Sequence, residues 1–95
     1  MTGQHQQRLV KNTVEQQYEI YLDDQRVGLA SYLERGDTVV LPHTETLPAV
    51  GGQGLASALV AFGLDDIRAQ GRRVEPACPF VAAYIDKHPE YRDLL

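Results

Sequence analysis

Tryptophan is absent from the 95-residue sequence, and cysteine and methionine occur once each. A single thiol, Cys78, excludes an intramolecular disulfide framework and every multi-cysteine zinc site. The three histidines, His5, His43 and His88, are far apart in the chain and form no ligand spacing, so no metal is expected. No apolar run approaches the roughly 20 residues of a membrane helix. No basic segment followed by an apolar one opens the chain in the manner of an export signal. A cytoplasmic location with no membrane partner is the expectation. Positive charge is also scarce: 9 basic against 13 acidic side chains leave a net charge of −4 and a pI near 5.2. The basic residues are scattered, with Arg72-Arg73 the one adjacent pair, which argues against nucleic-acid binding.

What is present is ordinary for a globular protein, with 43% apolar and 23% charged residues. The length predicts one domain over residues 1–95, large enough for one modest core and a cleft. Residues 1 to about 7 are polar and glutamine-rich and read as a disordered tail. From Val14 the chain alternates with period 2 through Tyr18, Ile20 and Leu22, with a wetter face at Glu19 and Tyr21. Asp23-Asp24-Gln25 is a turn. A second strand places Val27, Leu29, Ser31 and Leu33 on one face. Arg35-Gly36-Asp37 turns the chain again. A third strand, Thr38 to about Glu45, places Val39, Leu41, His43 and Glu45 on one face. The three segments predict an antiparallel meander. Pro42 cannot donate a ladder hydrogen bond, so it marks an edge, a bulge or a point where strands part.

A loop with Pro48 and three glycines leads into a helix over about 55–70, with Ala56, Leu59, Val60, Gly63 and Ile67 at helical spacing. Gly71 is the expected stop. A short strand over 72–76 follows, then a helix from Pro79 and Phe80 to Lys87, ended by Pro89. Tyr91, Leu94 and Leu95 are expected to fold back onto the core.

Three stretches carry chemistry. Gly51-Gly52-Gln53-Gly54-Leu55-Ala56-Ser57 joins a strand to a helix start, and the helix has no acid before Asp65. Free N–H groups, uncompensated positive potential and glycines that admit a close ligand make an anion site, most often for phosphate. The bland alternative is a flexible loop. Neither the Walker pattern nor G-x-G-x-x-G is present. Cys78, just before Pro79, stands at or beside a helix N-cap, where the dipole favours the thiolate; the alternative is a small buried hydrophobe. His43 and Glu45 share a face at the end of the third strand, beside the glycine loop, where chemistry collects next to a phosphate-binding helix start; the alternative is a half-buried histidine with a surface carboxylate.

The order strand–strand–strand–glycine loop–helix–strand–helix, with these residues, resembles the GNAT superfamily of acyl-CoA-dependent N-acetyltransferases. It resembles more narrowly a short, single-domain YjdJ-type subgroup. The pieces that carry the resemblance are Leu41-Pro42-His43-Thr44-Glu45, Gly52 to Val60, Val74 to Val81, Tyr84-Ile85 and His88-Pro89-Glu90-Tyr91, within residues 14–95. The resemblance implies an α+β fold: a mixed sheet whose splayed strands hold a cofactor cleft. The superfamily's pyrophosphate loop, Q/R-x-x-G-x-G/A, falls on Gly51 to Ala56, with Gly51 standing where Gln or Arg is usual. The resemblance further implies acetyl-CoA as acyl donor, cradled by Gly51, Gly52, Gln53, Gly54, Leu55, Ala56 and Ser57. The acceptor it implies is a small amine or a protein lysine. The superfamily suggests Glu45 as base with Tyr84 or Tyr91 as acid; the short subgroup suggests His43 and Cys78. A non-catalytic acyl-CoA-binding or sensing module of the same fold is the alternative function, and a phosphorylated partner at the helix start is a third.

Overall fold

A computed structural model describes residues 6–48 and 54–95 of the chain. Strands β1 (Gln7–Asn12), β2 (Gln17–Leu22), β3 (Gln25–Arg35) and β4 (Thr38–Thr46) are followed by helix α1 (Leu55–Ala69), strand β5 (Arg73–Glu75), helix α2 (Pro79–Lys87) and a 3-10 segment, Pro89–Leu94. The sheet order is β1-β2-β3-β4-β5. The first four strands form an antiparallel meander, and β5 pairs parallel to β4 after the crossover through α1. This is the mixed α+β sheet that the family resemblance implies, with one antiparallel strand more.

That extra strand corrects the tail boundary. Gln7 opens β1, and the Gln6 N–H donates to Asp23 Oδ1 at 3.2 Å; residues 1–5 lie outside the described residues. Val14 belongs not to a strand but to the β1–β2 turn, where it is 88% exposed and Gln16 adopts φ 54°.

Two irregularities correct the face assignments. Ile20 pairs with Gly28 but Tyr21 with Arg26, so β3 carries an extra residue around Val27. Val27 therefore joins the core with Ala30 and Tyr32, while Leu29, Ser31 and Leu33 turn to the other face. In β4, Leu33 pairs with Val40 but Ser31 with His43, so Leu41 and Pro42 together oppose Tyr32. A one-residue insertion reverses the period-2 phase. Val39 and Leu41 thus point into the core, and His43 and Glu45 point to the opposite face.

The core unites Tyr18, Ile20, Tyr32 and Leu41 of the sheet with Leu59, Leu64 and Ile67 of α1 and with Val81 and Ile85 of α2. Gly63 lies inside α1 because a Cβ there would meet the Tyr18 ring at 3.0 Å. The helix acids anchor α1. Asp66 accepts from Tyr18 Oη at 2.9 Å and from Lys11 Nζ at 2.9 Å, and Asp65 accepts from Tyr91 Oη at 2.8 Å. Gly71 closes α1 with φ 71°. Tyr91 and Leu94 fold back as expected, whereas Leu95 is 49% exposed. Among the described residues no helix is long and apolar enough to cross a membrane.

Candidate functional site

Strands β4 and β5 run together only briefly. Thr38, Val39 and Val40 pair with Arg73, Val74 and Glu75. At the next residue the Leu41 carbonyl accepts from the Cys78 N–H at 2.9 Å, and Pro42 follows. Beyond that fork β4 continues to Thr46 with β3 as its strand partner, while the other chain turns away into α2. Of the sequence alternatives for Pro42, two are realised at once: it lies in a bulge and at the parting of two strands.

Cys78 sits at the fork as the N-cap of α2, with Pro79 at the first helical position and no acid in the first turn. It is 6% exposed. Burial pushes its thiol up. The Val81 N–H, the Thr44 side chain, the Phe80 N–H and the Thr44 backbone outweigh that effect, and the net shift is below the usual value of 9.0. As a thiol it donates to Thr44 Oγ1 at 3.7 Å; as a thiolate it accepts from the same hydroxyl. Cys78 thus combines both sequence readings: it is a packed side chain and also a thiol at a helix start. The sequence does not signal this role for Thr44, because its partner is 34 positions away.

His43 and Glu45 form a pair, His43 Nε2 to Glu45 Oε1 at 2.9 Å, each 59% exposed. Alternation along β4 places them on the face opposite Thr44. Among the described residues no hydrogen bond or ion pair joins His43 to Cys78. The fork therefore holds two separate pairs, Cys78–Thr44 toward the core and His43–Glu45 on the other face of the same strand segment. Tyr91 is committed to Asp65, and burial together with that carboxylate pushes its phenol up to about 12. Tyr84 stacks on His88 at 4.0 Å between ring centroids, and burial followed by the Glu90 and Asp65 charges raises its phenol. His88 itself is the C-cap of α2.

Helix α1 follows β4 in the crossover to β5, so its start belongs to the C-terminal side of β4. Gly54 is its N-cap with φ 75°, no side chain caps it, and its first turn has no acid. The first intrahelical bond runs from the Ala58 N–H to the Gly54 carbonyl at 3.1 Å. The amides of Leu55, Ala56 and Ser57 thus have no helical acceptor. An uncapped helix start with positive potential fits a pyrophosphate. Gly51, Gly52 and Gln53 lie outside the described residues. No group of three metal-ligating side chains occurs among the described residues.

Against this geometry stand the similarities to known proteins. A family model described as GCN5-related N-acetyl-transferase matches residues 17–94. Among solved structures, the chain is similar to the NMR solution structure of a GCN5-like protein from Staphylococcus aureus, proposed to be an N-acetyltransferase. That match has TM-score 0.72 and 19% identity, and covers 92% of this chain and 85% of that one. It is also similar to the crystal structure of the ribosomal-protein-S18-alanine N-acetyltransferase from Escherichia coli, with TM-score 0.64 and 16% identity. Here 75% of this chain and 49% of that chain are covered. At these identities the two structures show a shared fold. No curated protein matches the chain in sequence.

Proposed function

Because the chain belongs to the GCN5-related N-acetyltransferase family, we propose that it transfers an acetyl group from acetyl-CoA to an amine, a small molecule or a protein lysine, in the cytoplasm. The observation that carries this reading is the fork at Leu41, where β4 and β5 part beside Cys78, in a sheet whose β4–β5 crossover is α1 with its uncapped start.

In this reading acetyl-CoA supplies a reactive thioester. The amides of Leu55, Ala56 and Ser57 bind its pyrophosphate, together with Gly51, Gly52, Gln53 and Gly54. Backbone N–H groups of β4 beyond the bulge stabilise the oxyanion that develops on the carbonyl. His43, oriented by Glu45, removes the proton from the acceptor ammonium, which makes the nitrogen a nucleophile. Cys78 holds the proton that the departing sulfur needs. A thiol with a lowered pKa gives it up readily, Thr44 steadies the thiolate, and the second proton shed by the nitrogen as the amide forms restores the thiol.

The test is release of free CoA from acetyl-CoA with a panel of amines, read in parallel with CoA binding. Amine-dependent release that falls in both His43→Ala and Cys78→Ala supports the reading. Tight CoA binding with no release to any amine moves the protein to the non-catalytic acyl-CoA-binding module.

A further inference from the structure

The sheet face opposite the core carries a polar cluster centred on Glu19, which is 3% exposed. Its carboxylate accepts from Asn12 Nδ2 at 3.0 Å, Gln17 Nε2 at 2.6 Å and Tyr21 Oη at 3.0 Å. The Arg26 guanidinium stands farther off, at 3.5 Å, and its side chain is 47% exposed. Among the described residues that guanidinium makes no other hydrogen bond or ion pair. It carries five N–H donors, so most of its capacity is unspent. Glu19 balances its charge from 3.5 Å but leaves most of its N–H donors and about half of its side chain open to a ligand.

Across the sheet Glu19 is level with Leu29, and Leu29 is level with Glu45. Arg26, Leu29 and Glu45 therefore share one face. A cavity of about 280 Å³ opens there, lined by Arg26, Gly28, Leu29, Glu45, Leu47 and Pro48 among others. It offers one guanidinium, one carboxylate and an apolar wall. Glu45 presents Oε1 to His43 and keeps Oε2 for a ligand. The volume is just below the roughly 300 Å³ at which pockets for drug-sized ligands begin, which suits a smaller molecule.

We propose that this cavity is the acceptor subsite and that it takes small amino carboxylates. The ligand ammonium lies against Glu45, within reach of His43, and the ligand carboxylate lies on Arg26, whose fork geometry matches it. A lysine side chain or a simple amine brings only the ammonium and leaves Arg26 unused. The cavity's role as acceptor subsite rests on the acetyl-transfer reading; the binding preference is a property of the cavity alone.

The experiment is an NMR titration of the complete chain without CoA. The probes are ω-amino carboxylates from glycine to 6-aminohexanoate, each set against its carboxamide. For at least one chain length the acid should bind about tenfold more tightly than its amide, the worth of one charge-assisted contact. Backbone signals of Gly28, Leu29, Glu45 and Leu47 should move. Arg26→Gln should bring acid and amide to the same affinity, and Arg26→Lys should keep part of the preference. Glu19 retains its three nearer donors in both variants, and the spectra of the free variants check the fold. Acids and amides binding alike, a preference that survives Arg26→Gln, or unmoved cavity signals would each overturn the proposal. Acetyl transfer to amines without a carboxylate, beside a cavity blind to acids, would sink this proposal and leave the enzyme reading standing. Binding of acids without any acetyl transfer would do the reverse.

Discussion

The Thr44 hydroxyl stands 3.7 Å from the Cys78 sulfur, across the gap where β4 and β5 have parted. The contact depends on the bulge at Leu41-Pro42. Without the inserted residue, the β4 phase would turn His43 toward the core and Thr44 away from it. The bulge thus decides which side chain meets the thiol. It also places the His43–Glu45 pair on the far face, where the acceptor cavity opens.

Thr44→Val keeps the shape and removes the hydroxyl. The thiolate then loses one of its donors, and the Cys78 pKa should rise. Alkylation near neutral pH should slow by up to about tenfold, since one hydrogen bond to a charged group is worth roughly 1.5 kcal/mol. Acetyl transfer should fall while CoA affinity stays within a few-fold. An unchanged alkylation rate would show that the hydroxyl does not reach the sulfur in solution.

Acetyl-CoA should stabilise the fold. Ligand at a hundredfold its Kd adds about 2.7 kcal/mol, which for a domain of this size is on the order of 10 °C in Tm. A melting curve at millimolar acetyl-CoA checks it. No shift there speaks against both the enzyme and the binding module.

Gly54 has φ 75°, yet a Cβ built on it would meet nothing within 4 Å. The cost of a side chain is therefore conformational and not steric, about 1–2 kcal/mol for a left-handed L-residue. Gly54→Ala should lower Tm, and Gly54→Asn should do so less, because Asn visits that region more readily. Gly54→Val should in addition lose CoA binding by crowding the pyrophosphate. A Val variant that melts normally and still binds would remove the phosphate from this helix start.

Burial pushes the Glu19 carboxyl up, but hydrogen bonds from Gln17, Asn12 and Tyr21, and the Arg26 charge, hold it below its usual 4.5. A carboxyl depressed in the folded state contributes stability above its unfolded pKa. That contribution is lost as the pH falls through the folded value. Asp66 acts in the same sense: burial opposes ionisation, but Lys11, Tyr18 and Gln70 hold it below 3.8. Glu19→Gln should therefore narrow the difference in urea stability between about pH 6 and about pH 3. An identical pH dependence in wild type and variant would show that Glu19 is not depressed.

Much of the fold is legible in the sequence because its signals are local. Alternation marks β2, Gly71 stops α1, and Pro79 starts α2 with Cys78 as its cap. β1 is hidden because Lys11, on its core-facing side, is satisfied by Asp66, an acid far along the chain. Its charge breaks the apolar alternation that would announce a strand. Val14 misleads in the opposite way, an apolar residue in a turn. The faces of β3 and β4 fail at bulges, since one inserted residue reverses every later position and only Pro42 signals it. In the site, Cys78, His43 and Glu45 stand out by type. Thr44, Glu19 and Arg26 do not, because their roles arise from neighbours supplied by other strands.

Cys78 separates enzyme from binding module. Its sulfur is largely covered, which slows any reagent, but helix amides and Thr44 favour its thiolate, which quickens one. If the thiol acts on the departing sulfur, iodoacetamide should modify the folded protein faster than it modifies a free thiol near neutral pH. Bound acetyl-CoA should slow that reaction by covering the fork. Cys78→Ala should leave CoA affinity within a few-fold and cut transfer by about 10²-fold or more, the lower range for a positioned proton donor. The lost thiol should cost a modest amount of stability, about 1 kcal/mol, because Cys78 belongs to the core, while alanine keeps the cap backbone and its hydrogen bond to Leu41. Intact mass after incubation with acetyl-CoA distinguishes proton transfer from covalent transfer. An acetyl adduct absent from Cys78→Ala would make the sulfur the nucleophile. In that route the thiolate forms a thioester as the CoA sulfur leaves, and the amine then releases the thiolate. Alkylation seen only on unfolding and indifferent to acetyl-CoA, with normal transfer in Cys78→Ala, would leave His43 and Glu45 to carry the chemistry from the other face of β4.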